Sequence, residues 1–296
     1  MDTNLIDLYE RFNSEDRCRE YLEILKWPNG VCCTRCGSLS VSRHIKRHQY
    51  DCNDCRYQFS VTAGTAFHDS HLPLWKWFLA TYLMCESKKG ISANQMHRAI
   101  KVSYKTAWYL NHRIREAMKT DTSEKLKGIV EADETFVGGR YDKRRKRGPF
   151  EKACVVGVIK RGGPVRAQKI PSRGARAIAA FLEASVEPGS KLMTDEYAGY
   201  EKIGKKLYDH NTVVHSKLQY VTGMVHTNSI ENFWSLFKRG VIGSFHKISE
   251  KHLDRYLDEF TYRFNGRDDE QLFTNTLRNL INAKTLPFEK LTEKSA

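Results

Sequence analysis

A carboxylate and an ammonium stand seven residues apart in the stretch His226 to Gly240, HTNSIENFWSLFKRG, which reads as one amphipathic helix. At about 100° per residue, the step from Glu231 to Lys238 falls roughly 20° short of two turns, so both side chains leave one face about 10 Å apart. Trp234 lies between them on the edge of that face. Asn228 or Ser229 can cap the start, and Gly240 stands where a helix would stop. Taken alone this is a solvated surface helix. Acidic residues farther upstream give it a different meaning.

Two stretches that read as buried strands end in carboxylates. In Gly128 to Gly139, GIVEADETFVGG, alternation puts Ile129, Glu131, Asp133 and Thr135 on one face and Val130, Ala132 and Glu134 on the other. The second, Ser190 to Glu196, is SKLMTDE. Unpaired buried charge costs several kcal/mol, so acids at the ends of neighbouring strands point to a bridging cation. Hard divalent ions, Mg²⁺ or Mn²⁺, take oxygen ligands, and two of them hold both the attacking and the leaving oxygen of a phosphoryl transfer.

A second metal signature precedes these. Cys33-x2-Cys36 and Cys52-x2-Cys55 are separated by fifteen residues, the four-thiolate spacing of a zinc ribbon. Cys32 competes with Cys33 for the register, but only Cys33 makes the two-residue gap to Cys36. Arg43, His44, Lys46, Arg47 and His48 lie between the knuckles, which favours a nucleic-acid contact over a protein one.

The acidic blocks EADETFVGGR, TDEYAGY and HTNSIENFWSLFKRG, followed by SFHKISEKHLDRYLDEFTYRFNGR, resemble the ISXO-like insertion-sequence transposases that carry an N-terminal zinc ribbon. The likeness runs from about Cys18 to Arg267. It implies a DDE-type enzyme with a ribonuclease-H-like catalytic core, in which Asp133, Asp195 and Glu231 hold two Mg²⁺ ions. Members of this branch vary at the third acidic position, and this chain has the Glu. Lys238 corresponds to the trailing basic residue and would contact a phosphate near the scissile bond; His226 would do the same or assist proton transfer. Glu131 is the alternative first ligand, and Glu134 and Glu196 face solvent or support the ligands. The implied reaction is cleavage at the ends of the element and joining of the freed ends to target DNA. Two rivals remain: a zinc-ribbon DNA-binding regulator with an inert nuclease-like core, and a nuclease that does not join ends.

The elements that must position these residues can be read from the pattern. Residues 1–66 hold one or two short helices, with Ser14 capping Glu15 to Lys26, and the zinc ribbon with one structural Zn²⁺. After a linker-like Val61 to Thr65, residues 67–122 are helical: Leu74 to Cys85, then Ile91 to Ala99 and Tyr104 to Met118 around a short break with Ser103 as cap. The last two form either a helix-turn-helix or a plain helical hairpin. As a recognition helix the second would present Tyr104, Lys105, Trp108, His112, Arg113 and Arg115 to a major groove. Residues 123–296 carry the catalytic core: strands at Asp133, Ala153 to Ile159 and Val165 to Ile170, a helix Arg176 to Ser185, the Asp195 strand, a short strand Asn211 to His215, the Glu231 helix and a long helix Ser249 to Asn265. The basic run Lys143 to Arg147 lies between the first two strands, where it can grip phosphate. The fold class is therefore multidomain α/β.

Composition agrees. The 296 residues are 40% hydrophobic and 28% charged, with a net charge of +14. The surplus is spread along the chain: 18 basic against 12 acidic residues in the first 120, and 31 against 23 in the rest. Such a balance suits a polyanionic partner, bound through its phosphates with steep salt dependence, and the family resemblance implies that this partner is double-stranded DNA. No secretory segment opens the sequence, and Leu74 to Cys85 is too short to span a bilayer. Eight cysteines with two CxxC pairs fit bound metal in a reducing compartment, not a disulfide scaffold. A cytoplasmic, nucleoid-associated prokaryotic protein acting as a homo-oligomer on DNA is expected.

Overall fold

The computed structural model describes residues 4–119, 123–138, 152–213 and 225–293. They form two compact units, residues 1–118 with 268–296, and residues 119–267. The basic run Lys143 to Arg147 and the end of the strand anticipated at Asn211 to His215 lie outside the described residues.

The first unit opens with helices α1 (Leu5–Phe12) and α2 (Glu15–Lys26), capped by Asn4 and Ser14. A three-stranded antiparallel sheet follows, β1 (Val41–His44), β2 (Gln49–Cys52) and β3 (Gln58–Phe59). Its inner side packs Tyr50 and Phe59 against Trp27 at the end of α2. Three helices come next, α3 (Leu74–Glu86), α4 (Ala93–Ile100) and α5 (Tyr104–Ala117). Ser92 and Gln95 make a capping box on α4, and Ser103 caps α5 as its sequence suggests.

Two expectations change here. The helix α5 does not present a full recognition face: Tyr104 and Lys105 are exposed, whereas His112, Arg113 and Arg115 are buried. Arg113 is turned inward, donating to the His68 carbonyl and lying over Trp77 and Tyr109. Val61 to Thr65 is not a linker either, because Val61 and Thr65 are buried and the Thr65 carbonyl accepts from Thr285.

The second unit is a mixed five-stranded sheet. Its strands β4 (Ile129–Val137), β5 (Ala153–Lys160), β6 (Val165–Ile170), β7 (Lys191–Thr194) and β8 (Asp209–Thr212) lie in the order β6-β5-β4-β7-β8. The first three pair antiparallel, and β4, β7 and β8 run parallel. Helix α6 (Ala175–Ser185) leads from β6 into β7, and α7 (Glu201–Leu207) from β7 into β8. One face of β4, with Val130 and Ala132, joins a core with Ile178, Phe181, Leu182 and Tyr200. On the other face α8 (Asn228–Gly240) and α9 (Leu253–Asn265) supply Ile230, Phe233, Trp234, Phe237, Leu257 and Phe260. The alternation read in β4 therefore sorts its residues between two real layers.

Helices α10 (Leu272–Asn282) and α11 (Phe288–Thr292) belong to the first unit, not to the catalytic segment with which their sequence was grouped. Apolar burial explains this: Phe273 packs on Phe12, Phe78 and Tyr82, and Phe288 on Trp108 and Tyr109. Residues 268–296 thus fall with the first unit, and in sequence the second unit is inserted within it.

Candidate active site

Asp133 lies in the centre of β4, and Asp195 directly follows β7. Parallel pairing sets Glu131 opposite Met193, so Asp133 and Asp195, each two residues farther on, emerge side by side. Oxygens of Asp133, Glu134 and Asp195 lie within 4.8 Å of one another. Burial, reinforced by the charges of Glu134, Asp195 and Glu231, pushes the Asp133 carboxyl up to about 7. A carboxylate crowded by others in this way is stabilised by a cation, and an all-oxygen donor set suits Mg²⁺ or Mn²⁺.

Glu134 is not solvent-facing. Its side chain is buried, Arg173 pairs with one oxygen and the Tyr200 hydroxyl donates to the other at 2.7 Å. Arg173 also lies 3.6 Å over the ring of Tyr197, whose backbone N–H donates to Asp195. Those partners compensate the charge of Glu134, whose carboxylate oxygen still lies in one group with those of Asp133 and Asp195. Glu196 is exposed, as expected.

Glu231 stands on the exposed side of the first turn of α8, outside the tight cluster but close enough for its charge to act on Asp133. Its Oε1 accepts from the Thr227 hydroxyl at 2.6 Å. Lys238 is exposed farther along the same helix, and Trp234 is buried beneath it. The indole occupies space that only a glycine at 157 leaves open: a Cβ there would come 2.6 Å from Trp234 Cζ2. Gly157 is the partner of Asp133 in the β4–β5 register.

The caps of α8 differ from expectation. Thr227 is the N-cap residue and makes no side-chain cap bond, and Gly240 does not end the helical path, which runs on through a π-helical turn at Val241–Phe245. The missing acceptor comes from another strand: Glu131, fully buried, accepts from the backbone N–H groups of Ser229 at 2.7 Å and Ile230 at 3.1 Å. Glu131 is therefore committed to protein donors rather than placed as a first ligand. His226 turns Nδ1 to within 3.3 Å of Glu131 Oε1.

In the first unit, the sulfurs of Cys33, Cys36, Cys52 and Cys55 lie within 4.8 Å of one another, with Cys33–Cys55 at 3.6 Å and Cys36–Cys52 at 3.5 Å. A tetrahedral ion with Zn–S bonds of about 2.3 Å separates its sulfurs by about 3.8 Å, so the cluster fits one Zn²⁺. Backbone N–H groups of Arg35 and Cys55 point at the Cys33 and Cys52 sulfurs, the geometry of paired knuckles.

Residues 125–265 match the model of the ISXO2-like transposase domain, and residues 13–58 match that of the transposase zinc-ribbon domain. A protein of the transposable element ISH50 from Halobacterium salinarum is 31% identical over 273 residues, covering 85% of this chain and 91% of that protein. A transposase-like protein of Haemophilus influenzae is 26% identical over 99 residues, 33% of this chain and 79% of that protein. With carboxylates gathered across β4 and β7 and a four-thiol ribbon ahead of them, the chain belongs to the ISXO2-like insertion-sequence transposases.

Proposed function

We propose that this transposase binds the ends of its element, cleaves the DNA and transfers the freed 3′-hydroxyl ends to target DNA at a ribonuclease-H-like core. The observation that carries the reading is the convergence of Asp133 and Asp195 across adjacent parallel strands, with Glu231 on the helix packed over β4. The strand order, with three antiparallel strands followed by two parallel ones, supports the core assignment. Asp133, Asp195 and Glu231 would hold two Mg²⁺ ions, which when bound lower the pKa of the attacking hydroxyl and stabilise the departing oxygen. Lys238 contacts a phosphate beside the scissile bond, and His226 serves as a second phosphate contact or in proton transfer. The exposed Tyr104 and Lys105 of α5, the basic ribbon hairpin and the net charge of +14 supply DNA affinity. The protein would act as an oligomer so that two ends are handled together.

Asp195→Asn and Glu231→Gln test this on DNA carrying the element's terminal repeats. Each variant should lose Mg²⁺-dependent nicking while retaining binding measured by fluorescence anisotropy. Full nicking by either would overturn the assignment, and failure of the unsubstituted chain to nick would favour a DNA-binding regulator with an inert core.

A further inference from the structure

We infer that Glu131 is a positioning residue that locks the helix bearing Glu231 to the strand bearing Asp133, and so sets the metal affinity of the site. The inference rests on the reading of Asp133 and Glu231 as metal ligands. Glu131 lies two residues before Asp133 on the same face of β4, and Ser229 lies two residues before Glu231 on α8. The two catalytic segments are therefore joined at matching offsets by one carboxylate.

Every donor around Glu131 helps fix the start of α8. Oε2 accepts from the N–H groups of Ser229 and Ile230, which are among the unpaired donors of a helix start, and Oε1 accepts from the Ser229 hydroxyl at 3.0 Å. Arg161, in the turn between β5 and β6, donates Nε to Oε1 at 2.7 Å and NH2 to the His226 carbonyl at 2.9 Å, which ties down the residues that lead into the helix. Backbone N–H of Arg161 in turn donates to the Ile129 carbonyl of β4. Thr227, held between His226 and Asn228, passes this order to Glu231 through its hydroxyl. A negative charge at the helix start is favoured by the helix dipole, and full burial removes water as a competing acceptor. Among the described residues, the partners of the fully buried Glu131 are protein groups at the start of α8, in the loop before it, and on Arg161, which itself holds that loop through the His226 carbonyl.

Glu131→Gln keeps the shape but places an amide NH2 among N–H and O–H donors, so at least one contact becomes donor against donor. Supporting residues around metal ligands typically set affinity by 10–100-fold. We expect Mn²⁺ binding to the purified chain, measured by calorimetry without DNA, to weaken about tenfold while circular dichroism and DNA-end affinity stay at parental values. The decisive measurement is a double-mutant cycle with Glu231→Gln. If Glu131 acts through Glu231, its substitution should change Mn²⁺ affinity far less in the Glu231→Gln background than in the parent. Independent, multiplying effects of the two substitutions would overturn the inference, as would unchanged affinity in Glu131→Gln. Should Glu131→Gln fail to fold, Ser229→Ala, which removes one donor and keeps the buried carboxylate, replaces it in the cycle with an expected weakening of about fivefold; no change there likewise overturns the inference. If Glu231→Gln alone leaves Mn²⁺ binding intact, the ligand role of Glu231 falls instead, and with it the basis for the proposal.

Discussion

Gly157→Ala is the smallest change that should disturb the active-site helix from beneath. An added Cβ would sit 2.6 Å from Trp234 Cζ2, 2.9 Å from Cη2 and 3.1 Å from Ile230 Cδ1, against an ordinary carbon–carbon contact of about 3.5–4.0 Å. About 1 Å of overlap must be relieved, and the indole has little room, with Phe233 at 5.1 Å and Phe237 at 6.5 Å between ring centres. Overpacking of this kind costs about 1–3 kcal/mol, while replacing a strand glycine by alanine recovers about 0.5–1 kcal/mol of chain entropy. The two ranges leave a net loss of about 0–2.5 kcal/mol, centred on about 1 kcal/mol because the overlap is large, or about 2–4 °C in Tm for a unit of this size. Cleavage should slow by about tenfold or more, because α8 must move and a misplacement of about 1 Å costs up to about 100-fold. Calorimetric melting and single-turnover cleavage check both parts. Adding Trp234→Phe, which removes the two clashing ring carbons, should restore much of the lost Tm. A Gly157→Ala variant that melts at or above the parent would refute the packing argument.

Three other outcomes follow from the same geometry. Burial and the surrounding carboxylates raise the Asp133 carboxyl to about 7, so the metal-free fold holds its proton more tightly than the unfolded chain does and loses stability as pH rises from about 4 to about 7. Asp133→Asn should flatten that loss in melts at pH 5 and pH 8 without metal while abolishing cleavage, and an undiminished pH dependence would contradict it. Lys238→Ala should fold normally yet cleave slowly, with partial rescue by Lys238→Arg; single-turnover rates equal to those of exposed Lys202→Ala would return Lys238 to the solvated surface. Cys52→Ser should lose the ribbon's metal and unfold its sheet, and metal analysis of native protein should find about one Zn per chain.

What was legible in the sequence is what local pattern controls. The CxxC knuckles, the alternation along β4 and the Ser14 and Ser103 caps depend on residues within a few positions of one another, and each lies where the spacing put it. What could not be read are the choices made by partners far away. Ser229 is a competent cap residue, yet the α8 start is satisfied by Glu131, ninety-eight positions upstream. Glu134 reads as an outward acid on an alternating strand, yet Arg173 and Tyr200 make its burial tolerable. His112, Arg113 and Arg115 have the composition of a DNA-reading face, but the bulky apolar neighbours of α5 enclose them. One signal was available: an acid two places before Asp133 on the same strand face must find donors, and Ser229 and Ile230 in the first turn of the Glu231 helix offer them.

The return of residues 268–296 to the first unit governs the order in which the molecule can mature on the ribosome. Phe273 completes an aromatic core begun by Phe12 and Phe78, so that core stays unfinished until the whole second unit has been translated. Domains in general fold as they emerge, and here the later-synthesised unit is free to fold first while the earlier one waits, its aromatic residues in need of shielding. A message cut short within residues 119–267 would therefore leave the first unit without its closing helices and the second incomplete. Truncated copies would make unstable fragments.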